Sequence, residues 1–389
     1  MPKAGDLQGE VAMLVPKVEK AAGLTFRRPP KVESTTSTKV QAFLIAQFEK
    51  PELRKSLDEK IVVWKRIGVV PDTTDVVALL TRLLTEQVVG YYDPKSKTLF
   101  VVEGRAGVER ETVLRHELTH ALQDQYVNLD SLQSLDQADD RVGAAQAVLE
   151  GHATVMMIGN AARTIAWDKA RDGIRDARAS SPLFSGAPGF VAEGLLFPYL
   201  AGAEFVRGVM GDGASSADLL ANLPSGTSQI LHKERWGPKG NAPEVVGFTL
   251  APGVTTRYVN NFGEFETRLL LAELLGDVAR ASRAATGMDG DTYVLLTVGA
   301  SGEGLAWMSV WDSPVDAEDF AEAVGAAMAK RYESAVLTRN GRREIVAAGR
   351  RVSVRTDRAD GRDIVVVEDL PAAVPAPILA VASVTVGAK

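Results

Sequence analysis

The sequence VLRHELTHALQDQY, residues 113–126, carries the strongest indication of fold and chemistry in this chain. It contains His116, Glu117 and His120 in the spacing His-Glu-x-x-His. On an α-helix, positions i and i+4 lie on one face, so the two imidazoles are able to bind one metal ion, with Glu117 beside them. Apolar residues at spacings of three and four predict that this helix runs from Gly107 to Tyr126. The motif therefore predicts a metal site on a helix.

Composition narrows the chemistry available to such a site. The 389 residues include four histidines and no cysteine. Disulfides, thiolate-bound metals and cysteine nucleophiles are therefore excluded, and a tightly bound metal depends on histidine and carboxylate ligands. The 44 basic and 50 acidic residues give a net charge of −6, which argues against a nucleic-acid partner bound through bulk positive charge.

A catalytic zinc site of this type needs a third protein ligand and one open position. Glu150 and His152 are candidates, because both lie on a second predicted helix, Asp139–Ile158. If the two helices pack antiparallel, Glu150 lies opposite the first two histidines. The two candidates are about 200° apart around their helix, so one helix does not present both to one ion. Glu150 is the favoured ligand, and His152 is the alternative.

Further polar residues are candidates for supporting roles. The fourth histidine, His232, is a catalytic candidate that stabilises a tetrahedral oxyanion; a structural hydrogen bond is the equally open alternative. Weaker candidates for the same role are Tyr91, Tyr92, Tyr126 and Tyr258. Candidates to orient the ligands, or else ordinary polar helix positions, are Asp124, Gln146 and Thr154.

Residues 116–124, HELTHALQD, resemble the active-site helix of gluzincins, the zinc peptidases typified by thermolysin, whose third ligand is a glutamate on a following helix. The separation between His120 and Glu150 is longer here than in thermolysin. A closer resemblance is to a family of uncharacterised bacterial metallopeptidases. The segments that carry it are EQVVGYYDPKSKTLFVV (86–102), VLRHELTHALQDQY (113–126), VLEGHAT (148–154), LLFPYLAG (195–202), SQILHKERW (228–236), GEFETRLLLAELL (263–275) and the stretch 290–320.

The resemblance implies that His116, His120 and Glu150 bind one catalytic Zn²⁺ and that Glu117 is the general base for a metal-activated water. This chain departs from the family in having His152 in place of an acidic residue, and HKERW at 232–236 in place of His-Pro-Glu-Lys-Tyr. The predicted function is zinc-dependent hydrolysis of peptide bonds in a peptide or protein substrate. Two alternatives stay open: a catalytically inactive zinc-binding or interaction protein, and a zinc hydrolase that acts on a non-peptide bond.

The predicted fold class is α+β. Residues 76–285 are expected to form a mostly helical, zincin-like metallopeptidase core, preceded by a β-hairpin over residues 88–104. Residues 1–75 are expected to form an N-terminal α/β region that packs on this core. Residues 286–389 read as a C-terminal α+β unit, because strand-like and helical runs alternate there.

The sequence also gives expectations about substrate binding and location. The strand Thr98–Val102 is expected to bind substrate as an added β-strand. No segment predicts an integral membrane helix, and the N-terminus has no apolar core of signal-peptide length. Relatives in the resembling family are often exported, so the compartment stays open, as does the oligomeric state.

Overall fold

A computed structural model describes residues 7–87, 90–103, 108–132, 139–158, 167–237, 242–339 and 341–386, and its fold class is α+β. Three parts of the sequence predictions lie outside the described residues: positions 88, 89 and 104 of the hairpin, position 107 of the first motif helix, and positions 133–138 between the two motif helices.

The helices, in chain order, are α1 (Leu7–Ala22), α2 (Ser37–Phe48), α3 (Pro51–Ile67), α4 (Val76–Gln87), α5 (Val108–Gln123), α6 (Leu129–Leu132), α7 (Asp139–Ile158), α8 (Trp167–Ala179), α9 (Pro182–Ser185), α10 (Gly189–Gly211), α11 (Ser216–Ala221), α12 (Ser228–Leu231), α13 (Gly263–Leu275), α14 (Val278–Ala285) and α15 (Pro314–Arg331). The strands are β1 (Lys31–Thr35), β2 (Gly90–Asp93), β3 (Thr98–Val102), β4 (Glu244–Leu250), β5 (Val254–Asn260), β6 (Met288–Val298), β7 (Glu303–Trp311), β8 (Leu337–Arg339), β9 (Arg342–Ala347), β10 (Arg350–Ala359), β11 (Arg362–Pro371) and β12 (Leu379–Val386).

A three-stranded sheet, in the order β1–β3–β2, lies beside helix α5. The predicted hairpin is confirmed, because β2 and β3 pair antiparallel with Gly90 opposite Val101. Its turn is closed by Asp93, whose carboxylate accepts hydrogen bonds from the backbone N–H groups of Lys95 and Ser96. On the other side, β1 pairs parallel with β3, so the N-terminal residues contribute a strand to this sheet.

The C-terminal residues form an antiparallel seven-stranded sheet, in the order β5–β6–β7–β11–β10–β9–β8. Alternate residues of its central strands point to opposite faces, as the two-residue period of a strand requires. One face packs on helices through Trp307 and Phe320, and the other packs on the β4–β12 pair through Met308 and Val246. The sheet includes β5, which precedes the predicted boundary at residue 286.

Helix α10 has the length and apolar composition of a membrane-spanning helix, but 56% of its most apolar window is buried inside the protein. It packs against α7 at a point where both helices have glycine. A Cβ on Gly202 would lie 2.0 Å from the Ala147 carbonyl oxygen, and a Cβ on Gly151 would lie 2.2 Å from the Gly202 carbonyl carbon. The backbones are therefore in contact next to Glu150.

The N-terminal turn of α7 is anchored by a buried carboxylate. Oδ1 of Asp140 accepts hydrogen bonds from the backbone N–H of Thr227, at 2.8 Å, and from the Thr227 hydroxyl. Burial raises the pKa of Asp140 to about 7, the charges of Asp291 and Glu264 add to this effect, and the two bonds from Thr227 oppose it. Asp140 therefore holds a proton in the folded protein over much of the acidic range.

The contact between α7 and α10 predicts that Gly202→Ala lowers the free energy of unfolding by about 1–3 kcal/mol or more, because the added methyl group overlaps backbone atoms. Gly194→Ala on the same helix is the matched control. Beyond the neighbouring turns of its own helix, no atom of the described residues lies within 4 Å of its added Cβ, so it is expected to be neutral or to stabilise by up to about 1 kcal/mol. Urea unfolding of both variants measures the difference, and equal stability of the two would contradict the described contact.

The raised pKa of Asp140 predicts a pH-dependent difference between the wild type and Asp140→Asn. Between about pH 4 and pH 7 the folded state keeps a proton that the unfolded chain releases, so the Asp140 contribution to stability falls as pH rises. Asparagine mimics the protonated form. Relative to the wild type, we expect the stability of Asp140→Asn to rise by about 2–3 kcal/mol between pH 5 and pH 8. A constant difference across this range would exclude the titration.

Candidate metal centre

Helices α5 and α7 bring the three predicted ligands together. His116 and His120 lie one turn apart on α5, and Glu150 lies on the face of α7 that packs against them. Among the described residues, these three form the group of His, Asp and Glu side chains able to hold a metal ion. We call this group the metal cluster.

The distances within the metal cluster have the dimensions of a coordination site. Nε2 of His116 lies 3.0 Å from Oε2 of Glu150 and 3.1 Å from Nε2 of His120. The third side of the triangle, from Nε2 of His120 to Oε2 of Glu150, is 3.3 Å. For tetrahedral zinc with ligand bonds of about 2.0–2.1 Å, ligand atoms are about 3.3 Å apart. Two imidazoles and a carboxylate also form a donor set of the catalytic zinc type, so the residues present fit this metal.

The charges of the metal cluster are strongly coupled. Burial raises the pKa of Glu150, but His120 and His116 outweigh burial and hold that pKa well below its usual range. Burial lowers the pKa of His120, but the Glu150 carboxylate more than offsets burial and raises it to about 9. In the metal-free protein, a proton on His120 therefore supplies the positive charge that the ionised Glu150 requires.

The alternative ligand, His152, lies elsewhere. Its side chain is fully buried, with Nδ1 3.0 Å from Nε2 of Gln123 and Nε2 2.9 Å from Oγ of Ser216. Burial, together with the charge on His120, lowers the pKa of His152 to about 4. Both ring nitrogens of this neutral imidazole are engaged away from the metal cluster, which leaves Glu150 as the third residue beside the two histidines.

The carboxylate of Glu117 lies beside the metal cluster and is held by the backbone. Its Oε2 accepts a hydrogen bond of 2.9 Å from the backbone N–H of Tyr92, on strand β2. Burial raises the pKa of Glu117, the charge of Glu150 adds to this effect, and His116 and His120 oppose it. A carboxylate with a raised pKa is better suited to accept a proton and return it near neutral pH.

The metal cluster opens into a cleft of about 580 Å³, which we call the main cleft. Its polar wall includes His116, Glu117 and Glu150, together with Gln146 and Thr154. The rest of its wall is largely apolar, from Leu83, Leu84, Val113, Met157, Ile174, Phe184, Leu195 and Pro198. A second, smaller cavity of about 130 Å³ reaches His120 and Glu150 from the side of Tyr92.

Sequence reasoning missed Tyr199 as a site residue. The Tyr199 ring on α10 lies roughly parallel to that of His116, with centroids 6.1 Å apart, and it lines the main cleft. The only sequence signal was its position in the segment LLFPYLAG, which carries the family resemblance but no chemical motif.

The position of His232 does not support its predicted catalytic role. Its Nε2 lies 2.8 Å from Oε1 of Glu264 and 3.3 Å from an Arg268 guanidinium nitrogen, at the junction of α12 and α13. It is absent from the walls of both cavities at the metal cluster. The buried Glu264 attracts it there, so the structural alternative is the one that this geometry matches.

The four tyrosines named from sequence have other contacts. The Tyr92 hydroxyl donates to Asp124, the Tyr126 hydroxyl donates to the Thr25 carbonyl, and the Tyr258 hydroxyl lies against Ser56 and Asn260. The Tyr91 ring stacks between Phe43 and Phe100. Asp124 is a sequence candidate for orienting a ligand. Its carboxylate instead accepts a hydrogen bond from the hydroxyl of Tyr92, whose backbone N–H donates to Glu117.

The expectation that Thr98–Val102 binds an added substrate strand is wrong. This segment is β3, the central strand of its sheet, and its backbone is already paired with β1 on one side and β2 on the other. The outer strand of this sheet near the metal cluster is β2, whose Gly90 lines the main cleft and whose Tyr92 N–H is bonded to Glu117.

Comparison with known proteins bears on the C-terminal sheet. Residues 254–377 match the sequence model of a family described as a domain of unknown function, DUF8575, and this range runs from β5 to the end of β11 and beyond. No curated protein and no solved structure matches the chain. The metal cluster lies outside the matched range.

The cluster predicts that wild-type protein takes up one zinc ion and that Glu150→Ala abolishes this uptake, because two imidazoles remain where three ligands are needed. His152→Ala is the matched control on the same helix and is expected to bind one ion at saturating zinc. Equilibrium dialysis against a saturating zinc concentration, followed by metal analysis, measures both. Loss of zinc in His152→Ala with retention in Glu150→Ala would exchange the two assignments.

Proposed function

We propose that this chain is a zinc-dependent peptidase of the gluzincin-like type, with a zincin-like core built from α5, α7 and the three-stranded sheet. The observation that carries the proposal is the triangle formed by Nε2 of His116, Nε2 of His120 and Oε2 of Glu150. Its sides are 3.0, 3.1 and 3.3 Å. Its support is that these lengths suit tetrahedral zinc and that the Glu117 carboxylate lies beside the triangle at the wall of a cleft.

The choice of zinc rests on the donor set. Two histidines and one glutamate are the ligands of several catalytic zinc peptidases, and the absence of cysteine leaves no thiolate to complete a closed structural site. When bound, zinc acts as a Lewis acid that lowers the pKa of water and polarises a substrate carbonyl.

The role proposed for Glu117 is proton transfer. The Tyr92 N–H fixes one carboxylate oxygen, Oε2, and Oε1 has no hydrogen bond within the described part of the chain, so it is available to accept a proton from water and return it to the leaving amine. The raised pKa suits both steps. A purely metal-binding protein has no use for a carboxylate held in this way, which favours a hydrolase over a binding module.

The substrate is proposed to lie along β2. This strand is paired with β3 on one side, and its other side faces Glu117 at the edge of the main cleft. An extended peptide fits such an edge through main-chain hydrogen bonds, which give little dependence on sequence. The dimensions of the cleft and its mixture of apolar and polar walls favour a peptide over a small polar ester or amide.

The proposal predicts that Glu117→Gln keeps zinc but loses at least about 100-fold of the cleavage rate, because the amide has the shape of the carboxylate and does not accept the proton. Cleavage of fluorescently labelled casein, measured together with zinc content, tests this. Glu111→Gln is the matched control, since Glu111 lies on α5 but pairs with Lys17 at the surface.

Two results would contradict the proposal. Unchanged cleavage by Glu117→Gln would remove this residue from the mechanism. Zinc-loaded wild-type protein that hydrolyses simple esters but no peptide or protein would favour the non-peptide hydrolase.

A further inference from the structure

Behind the metal cluster, a chain of buried hydrogen bonds links α5, α7 and α11. Nδ1 of His120 lies 2.9 Å from Oε1 of Gln123, and Nε2 of Gln123 lies 2.9 Å from the Leu149 carbonyl oxygen. The same Nε2 lies 3.0 Å from Nδ1 of His152, whose Nε2 lies 2.9 Å from Oγ of Ser216. Gln123 and His152 are fully buried, and Ser216 is 1% exposed.

The direction of each hydrogen bond in this chain is determined. A backbone carbonyl only accepts, so the nitrogen of the Gln123 amide must face Leu149 and its oxygen must face His120. The amide oxygen also only accepts, so Nδ1 of His120 carries a proton and donates it.

The remaining links follow in the same way. The second N–H of the Gln123 amide points to Nδ1 of His152, which must accept it because an amide nitrogen has no acceptor capacity. The proton of the neutral His152 ring is then on Nε2, where it is donated to Ser216. The hydrogen bonds therefore require opposite protonation of Nδ1 in the two imidazoles: it is protonated in His120 and unprotonated in His152.

We propose that Gln123, His152 and Ser216 are positioning residues that hold His120 with Nδ1–H turned away from the metal and Nε2 turned toward it. This rests on the proposed metal site, and it assigns His152 a role two residues from a ligand without making it one. Outer partners of this kind fix the ring orientation and tautomer of a ligand histidine, and their loss typically costs 10–100-fold in metal affinity.

Because Gln123 is buried, only one orientation of its side-chain amide is favourable. If Gln123 turned its amide by 180°, its oxygen would face the Leu149 carbonyl and its nitrogen would face His120, leaving buried polar groups without partners, which is costly. The Leu149 carbonyl prevents this reversal, and Nδ1 of His152 accepts the second amide hydrogen in the orientation that Leu149 selects. A neutral histidine buried beside a ligand is thereby explained without metal binding.

The direct test is ¹⁵N NMR of the full chain with labelled histidine, since four histidines can be assigned from single variants. At neutral pH the metal-free protein is expected to show His152 with its proton on Nε2 and an unprotonated Nδ1. His120 is expected to carry a proton on Nδ1 both without and with zinc, and zinc is expected to change only its Nε2. A proton on Nδ1 of His152, or zinc-induced loss of the Nδ1 proton of His120, overturns the proposal.

Zinc affinity supplies the second arm. Gln123→Met keeps the volume but removes both hydrogen-bonding functions, and it is expected to weaken zinc binding 10–100-fold. His152→Leu is expected to weaken it by about tenfold, and His152→Asn, which restores an acceptor for the Gln123 amide, is expected to recover most of that loss. Wild-type affinity in Gln123→Met, or no difference between His152→Leu and His152→Asn, overturns the proposal.

A control separates positioning from general stability. Val155→Ala truncates a buried apolar side chain on α7, outside the hydrogen-bond chain, and should destabilise the fold without changing zinc affinity. If the wild type binds no zinc, the proposed function fails, while the protonation states of His120 and His152 in the metal-free protein still decide between the described hydrogen-bond chain and another arrangement.

Discussion

Two imidazoles and a carboxylate meet in the partly buried space between α5 and α7, and a positive charge must lie among them. The ionised Glu150 loses water there, and the pKa directions of Glu150 and His120 show that each depends on the other for its charge. A divalent cation would bind both histidines and the carboxylate at once, whereas a proton on His120 balances only the charge of Glu150. The local fold thus brings together two imidazoles and a carboxylate whose charges depend on one another.

The rest of the N-terminal part of the structure serves to hold this geometry. The close contact between α10 and α7 at Gly202 fixes the position of α7. The hydrogen bond from Thr227 to Asp140 holds the first turn of α7. The hairpin brings the backbone of Tyr92 to Glu117, and Asp124 holds the Tyr92 hydroxyl at 2.7 Å. Each of these contacts joins segments far apart in sequence, so the precision of the metal cluster is a property of the tertiary fold.

The parts of the site that sequence predicted are those encoded locally. The i, i+4 spacing of His116 and His120 is sufficient to place both rings on one helix face, and the helical phase separates Glu150 from His152. The hairpin was also predictable, because its turn residues and β-branched flanks are adjacent in the chain. The main β-strand and helix pattern after residue 286 could be read for the same reason.

The missed features depend on which distant segments meet. Tyr199 belongs to a helix whose apolar sequence gives no hint that one ring lies beside His116. His232 is held by Glu264, and β3 is covered on both edges, neither of which is visible in a linear pattern. Gln123 looks like an ordinary helical glutamine until the Leu149 carbonyl fixes the direction of its amide.

X-ray absorption at the zinc edge, recorded on the zinc-loaded full-length chain, tests the central claim most directly. The account predicts one zinc ion with two imidazole nitrogens and oxygen ligands at about 2.0–2.1 Å. A coordination shell of oxygen alone, a shell with a single imidazole, or a protein that takes up no zinc would contradict it.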